Sequence, residues 1–274
     1  MNETATFKKR RNGYLIAGAL ITAAVLLLAL LGVFWTPCSP TATDGASKFL
    51  PPSAAHLFGT DKFGRDIFSR ALKGLGATVS VALATLGIGA GVGVAVGAIT
   101  GYFGGWADET LMRINDAITA FPSILLALLV ISLLGPGSRY SLVLALGLVF
   151  IPSFARVTRS AFAGLRDVNY ITSARLMGAG HLRILTLHML PNTGRVLLPA
   201  LTIGFNNAVL AEASMSFLRL TPLETSLGYM LSEAQGMLSK APWYALSTGG
   251  VIVVLVFGVG LLGQGLQAPS EEED

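Results

Sequence analysis

Residues 169–191 read NYITSARLMGAGHLRILTLHMLP. They stand between two apolar blocks, each long enough to cross a bilayer. A segment that only joined two helices would need about 2–8 residues, and this one is far longer. Asn169 is placed to cap a helix in which Tyr170, Ala174 and Met177 recur at i, i+4 and i+7, on one face. Gly178 and Gly180 interrupt that helix. A second short helix is expected over 181–189, and Pro191 can open the next one in its first turn. Two short helices meeting at glycine make a knob, which reads as a docking element for another protein. The competing reading is an amphipathic hairpin lying on the membrane surface.

Working outward from the knob, six apolar blocks can be counted: 14–35, 76–101, 117–134 entered through the polar 108–116, 140–158, 196–218 and 244–266. The first, at about 1.5 Å per residue, reaches about 33 Å and spans a hydrocarbon core of about 30 Å. A cleaved secretory signal has a shorter core of about 7–15 residues, so this block is expected to be a retained helix. Turn formers Pro37, Pro40, Gly45, Pro51 and Pro52 mark an outer segment reaching about Lys73. The expected organisation is 1–74 for the N-terminal tail, first helix and outer segment, 75–267 for a five-helix core, and 268–274 for an acidic tail.

Composition agrees with an all-α integral membrane protein. Of 274 residues 53% are hydrophobic and 12% charged, about half the charge of a soluble domain. The net charge is +4, from 19 Lys and Arg against 15 Asp and Glu. No basic stripe is interleaved with aromatics, so the excess points to membrane orientation and not to nucleic acid. Lys8, Lys9, Arg10 and Arg11 abut the first block, and no basic residue closely follows it. The positive-inside rule then puts both termini and the knob in the cytoplasm.

Catalytic constellations are absent from the sequence. GxxxxGK[ST] does not occur, and no nucleophile elbow or paired intramembrane carboxylates are visible. Cys38 is the single cysteine, which leaves no intrachain disulfide and no cysteine-based metal site. Bulky Trp35-Thr36-Pro37 ahead of it does not suit lipid-anchor cleavage. His181 and His188 lack a companion carboxylate or thiol, so no metal is expected. Inside the fifth block, Asn206 and Asn207 fall near the midplane, where lipid cannot satisfy their amides. Lining a polar pathway or bonding between helices would satisfy them. Glu212, about 24 Å from the inner end, lines the outer mouth of a pathway or reaches the headgroups. Gly87, Gly89, Gly91, Gly93, Gly97, Gly101 and Gly105 form small-residue stripes, suited to close packing within the chain, to a subunit interface or to a sliding surface.

With these residues in view, the chain resembles the permeases of bacterial ABC importers. Their cytoplasmic loop reads Glu-Ala-Ala, three residues, Gly, nine residues, Ile-x-Leu-Pro. Here Thr172-Ser173-Ala174, Gly178 and His188-Met189-Leu190-Pro191 keep both spacings. Thr for Glu and His for Ile look like the second permease of the dipeptide, oligopeptide and nickel branch. So do HLFGTDKFGRDIFSR (56–70), GYFGGWAD (101–108), MRIND (112–116), AFPS (120–123) and AEASMSFL (211–218). Arg219 and the ending GQGLQA (263–268) depart from the branch.

The resemblance implies the type I importer fold, with six transmembrane helices and a cytoplasmic coupling loop, in the bacterial inner membrane. It implies a non-catalytic subunit that carries peptides, nickel or a metal chelate and binds no cofactor itself, ATP and Mg being held by partners. Those partners would be a related permease, two ATP-binding subunits and an extracytoplasmic solute-binding protein, with membrane lipid around them. A secondary transporter or channel acting alone is the alternative, and it should carry ion-coupling carboxylates or repeat symmetry.

Overall fold

A computed structural model of the protein describes residues 2–135, 137–220 and 225–267, with side chains from residue 13 onward. Ten α-helices are seen: α1 (Asn2–Phe34), α2 (Ile67–Phe103), α3 (Gly105–Thr119), α4 (Ser123–Leu134), α5 (Arg139–Leu165), α6 (Asn169–Leu176), α7 (His181–Arg183), α8 (Gly194–Phe217), α9 (Leu227–Gln235) and α10 (Pro242–Gln267). Among the described residues the only β-pairing is an isolated bridge between Thr60 and Asp66. Five helical stretches are long and apolar enough to cross a membrane: Gly13–Phe34, Ile67–Phe103, Arg139–Leu165, His181–Phe217 and Pro242–Gln267. Leu20, Leu27, Leu133, Leu246 and Val253 stand open on their outer faces, which suits helices solvated by lipid.

The expected third span is not one helix. Pro122 supplies no N–H and disfavours a helical Phe121, so α3 stops at Thr119 and α4 restarts at Ser123, at 93° to it. Alone, α4 reaches about 18 Å, short of the core thickness. Only the bent pair together makes a sixth crossing.

The second span also differs from expectation. Asp66 accepts from the Ser69 N–H and caps α2 at Ile67, well before 76. The helix then runs 37 residues, about 55 Å, and the expected boundary at 74/75 falls inside it. The expected acidic tail, 268–274, lies outside the described residues.

The glycine stripe packs α2 on α5 within the chain. A Cβ at Gly89, Gly93, Gly97 or Gly101 would lie 2.8, 2.6, 2.6 and 2.7 Å from the Cβ of Phe150, Phe154, Thr158 and Phe162 respectively. Both rows advance by four, so the helices run parallel and in register. Gly87 and Gly91 meet nothing within 4 Å. Gly97→Leu is therefore expected to overpack the seam by about 1–3 kcal/mol and lower the melting temperature in detergent. Gly91→Leu, the matched control, should not. Equal melting of the two would rule out the seam as a constraint.

Candidate functional site

The knob is built from α6, α7, the π-helical Ile184–Met189 and the 3-10 turn Pro191–Thr193. Asn169 does not cap α6. Val168 occupies that position without a side-chain bond, and the Ile171 and Thr172 N–H groups reach its carbonyl at 3.0 and 3.2 Å. Asn169 is the first helical residue, because the Val168 backbone is the last extended one. Thr172 is then the fourth helical residue, one past the position from which a glutamate could complete a capping box.

Of the three residues expected on one face, only Ala174 packs inward. Ile171 and Ala174 are buried, whereas Tyr170 is partly open and Met177 is 82% exposed. Ile171 joins Ile184, Met189, Tyr102 of α2 and Phe162 of α5 in one apolar cluster. That cluster seats the knob on the C-terminal ends of α2 and α5. Leu176 at 84%, Leu182 at 75% and Leu187 at 64% stay open with Met177. Four large apolar side chains thus stay open on one short loop, an exposure typical of interaction surfaces.

Gly178 turns the knob. Its φ is +83°, its N–H bonds the Arg175 carbonyl and that of Ala179 bonds Ala174, each at 3.0 Å. This pair of bonds closes a helix with a left-handed residue after its C-cap. Gly180, extended at φ −68°, needs no such freedom. Pro191 cannot donate, and the preceding turn widens so that the Leu190 N–H bonds Leu185 at 2.9 Å. His188 holds the bend through its carbonyl, which accepts from the Asn192 amide at 2.6 Å. Leu190 is partly open.

Sequence reasoning missed the clamp that fixes the knob. The Tyr102 hydroxyl lies 2.8 Å from His181 Nδ1, and the Arg175 guanidinium lies 4.9 Å over the Tyr102 ring. Both loop residues thus grip the last turn of α2. Nothing in their spacing predicts a partner so distant in the chain.

In α8, Asn206 donates to the Val256 carbonyl at 3.0 Å and ties α8 to α10. Asn207 is exposed on the opposite side, in a row with Ile203, Leu210 and Ser214. Glu212 is fully buried and accepts from the Ser216 hydroxyl at 2.6 Å. It lies inside the subunit, neither at an open mouth nor at the headgroups. Of the three residues expected along a route, only Asn207 faces outward.

At the opposite end of α2 a second cluster appears, and it includes α9, an element the sequence does not predict. Arg70, 1% exposed, donates to Asp61 at 2.8 Å, Tyr244 at 2.9 Å and Glu233 at 2.6 Å. Arg65 donates to Asp61 at 2.7 Å and Glu233 at 3.1 Å. Two cations and two anions balance, and they bolt the outer segment to α2, α9 and α10.

Burial pushes the Glu233 carboxyl up, but the Arg70 charge and the hydrogen bonds from Arg70 and Arg65 outweigh it, holding the carboxyl below its ordinary 4.5. A carboxylate depressed in the fold stabilises fully above its unfolded value and loses that contribution as pH falls through the folded value. Melting temperature should therefore be level near neutrality and fall below about pH 4.5. Glu233→Gln should flatten part of that acid limb, and an unchanged limb would remove Glu233 from the cause.

Beside this clasp, donor atoms of Cys38, His56 and Asp66 lie within 4.8 Å of one another. The expectation of no cysteine-based set had counted cysteines alone and could not see this convergence.

Residues 93–268 match the family described as the binding-protein-dependent transport system inner membrane component. A dipeptide transport system permease protein, DppC, of Alkalihalophilus pseudofirmus is 35% identical over 261 residues, 94% of this chain and 85% of that protein. A putative peptide transport system permease protein of Brucella suis is 38% identical over 275 residues, 96% of this chain and 89% of that protein. Among solved structures, an inward-facing MetNI methionine ABC transporter covers 71% of this chain and 93% of its own at TM-score 0.59 and 20% identity, a likeness of fold. With apolar helices, a bent pair and a knob of that pattern, the chain belongs to the family of binding-protein-dependent transport system inner membrane components.

Proposed function

We propose that this permease is one of two related subunits of an ATP-driven peptide importer, and that the knob is where it receives work. The carrying observation is the open apolar face of Leu176, Met177, Leu182 and Leu187, rigidly seated through Tyr102. A mobile loop would absorb a push, whereas a seated one passes it to α2 and α5. ATP and Mg belong to two partner subunits that cover this face, so this chain does no catalysis. A solute-binding protein delivers cargo at the outer side, and both termini lie in the cytoplasm of a bacterial inner membrane. The relatives whose names print peptide or dipeptide support peptide cargo. Asn207 faces the route between the two permeases, since lipid cannot satisfy its amide. Asn206 and Glu212 hold α8 in place behind it.

Co-purification tests the reading. Met177→Asp combined with Leu182→Asp leaves the buried cluster intact and puts charge on the open face. The double variant should insert normally and lose its ATP-binding subunits. Equal recovery of those subunits would overturn the assignment.

A further inference from the structure

We infer that Cys38, His56 and Asp66 form a site for a divalent d-block cation of zinc type on the outer face. The three residues come from separate parts of the outer segment, and their donor atoms converge within 4.8 Å. Their backbones are already fixed. The Cys38 N–H donates to Ser69 Oγ at 3.0 Å, and the Ser69 N–H donates to Asp66 Oδ2 at 2.7 Å, so both ligands hang on one residue. The His56 carbonyl accepts from the Ser53 and Gly59 N–H groups, each at 2.8 Å, which sets the turn that aims the ring.

The donor set decides the class of ion. Thiolate and imidazole suit zinc and its neighbours, whereas magnesium and calcium take oxygen ligands. Zinc sits about 2.0–2.3 Å from such donors, and tetrahedral angles then separate the donors by about 3.3–3.8 Å. Seating an ion asks the widest pair, within 4.8 Å, to close and the His56–Asp66 pair, at 2.9 Å, to open. The ion replaces the contact between His56 Nδ1 and Asp66 Oδ1, 2.9 Å apart, with a bond from each to the metal; the ring proton resides on Nε2 and the thiol proton leaves to water. Asp66 is nearly buried, but the His56 side chain is 22% exposed and Cys38 is partly open. A path to the site and a fourth position for water remain. The helix cap explains Asp66 and the ion pair explains His56, but neither accounts for a cysteine beside them. A bound ion would staple the outer segment to the start of α2. The inference rests on neither the knob nor the transport reading.

The full-length chain, purified in detergent with a histidine-free tag, tests it by titration with Co²⁺ and Zn²⁺. Co²⁺ should give a thiolate-to-metal charge-transfer band saturating at a single equivalent. Zn²⁺ should displace it and raise the melting temperature. Cys38→Ser should abolish the band and weaken Zn²⁺ by more than about tenfold. Asp66→Asn keeps a capping side chain, so it should melt like the wild type without metal yet bind Zn²⁺ more weakly. Absence of the band in the wild-type chain, or equal Zn²⁺ affinity in Cys38→Ser, overturns the site.

Discussion

Arg70→Met is expected to cost about 3–5 kcal/mol, because removing one partner from a buried ionic cluster leaves the others uncompensated. Asp61 is fully buried and Glu233 is 7% exposed. Without Arg70 the two carboxylates share Arg65 as their one remaining cation in the cluster, and Tyr244 keeps only its bond to Glu233. A folded protein of ordinary stability has about 5–15 kcal/mol in hand, so the outer segment should loosen well before the spans separate. Thermal unfolding in detergent, with limited proteolysis of residues 37–66, reads both effects. Arg70→Lys should fall between, since a single ammonium cannot bridge two carboxylates and a phenol in fixed directions. Adding Glu233→Gln to Arg70→Met should recover part of the loss through coupling between the two sites. An Arg70→Met chain that melts with the wild type would show the cluster to be idle.

The second large effect is expected at Gly178. No atom lies within 4 Å of a Cβ built there, so Gly178→Asp creates no clash. Its cost comes from the left-handed backbone, about 1–2 kcal/mol, and from charge placed between α6 and α7. Membrane level and the apolar seat should survive. Recovery of the ATP-binding subunits and ATP-driven uptake should fall by more than about tenfold, since each 1.4 kcal/mol at the contact is tenfold in affinity. Gly178→Asn, which tolerates this backbone and adds no charge, should retain most of both. If the aspartate variant keeps its ATP-binding subunits, the knob is not the contact.

The spans were legible because a run of about 20 apolar residues has few other uses. The knob was legible from its length, its glycine and its Leu-Pro end. The packed face of α6 was not. Hydrophobic periodicity assumes that apolar means inside, and a docking element inverts that rule. Met177 and Leu176 stay open, while Ile171 and the small Ala174 turn inward against Tyr102 and Phe162. The start of α2 was hidden because Asp66 and Arg70 read as polar loop until Asp66 caps Ser69 and Arg70 meets Asp61 and Glu233. A separation of 163 residues between Arg70 and Glu233 leaves no local trace. Glu212 was read as a residue near the membrane boundary, yet Ser216 one turn on meets it within the subunit. The 93° break at Pro122 was signalled by the proline, but the ion pairs from Asp116 and Asp108 to Arg156 and Arg159 of α5, which tie α3 to α5, leave no local trace in the sequence.

The register of α2 on α5 has a mechanical consequence. Four glycines seat four side chains at equal steps along parallel axes, so neither helix can creep along the other without driving a Cβ into backbone. The pair therefore bends and translates as one beam. One end of that beam carries Tyr102 and the other Arg70, more than 30 residues apart on a continuous helix, about 48 Å. A displacement at the Tyr102 end is carried along the beam to the Arg70 end.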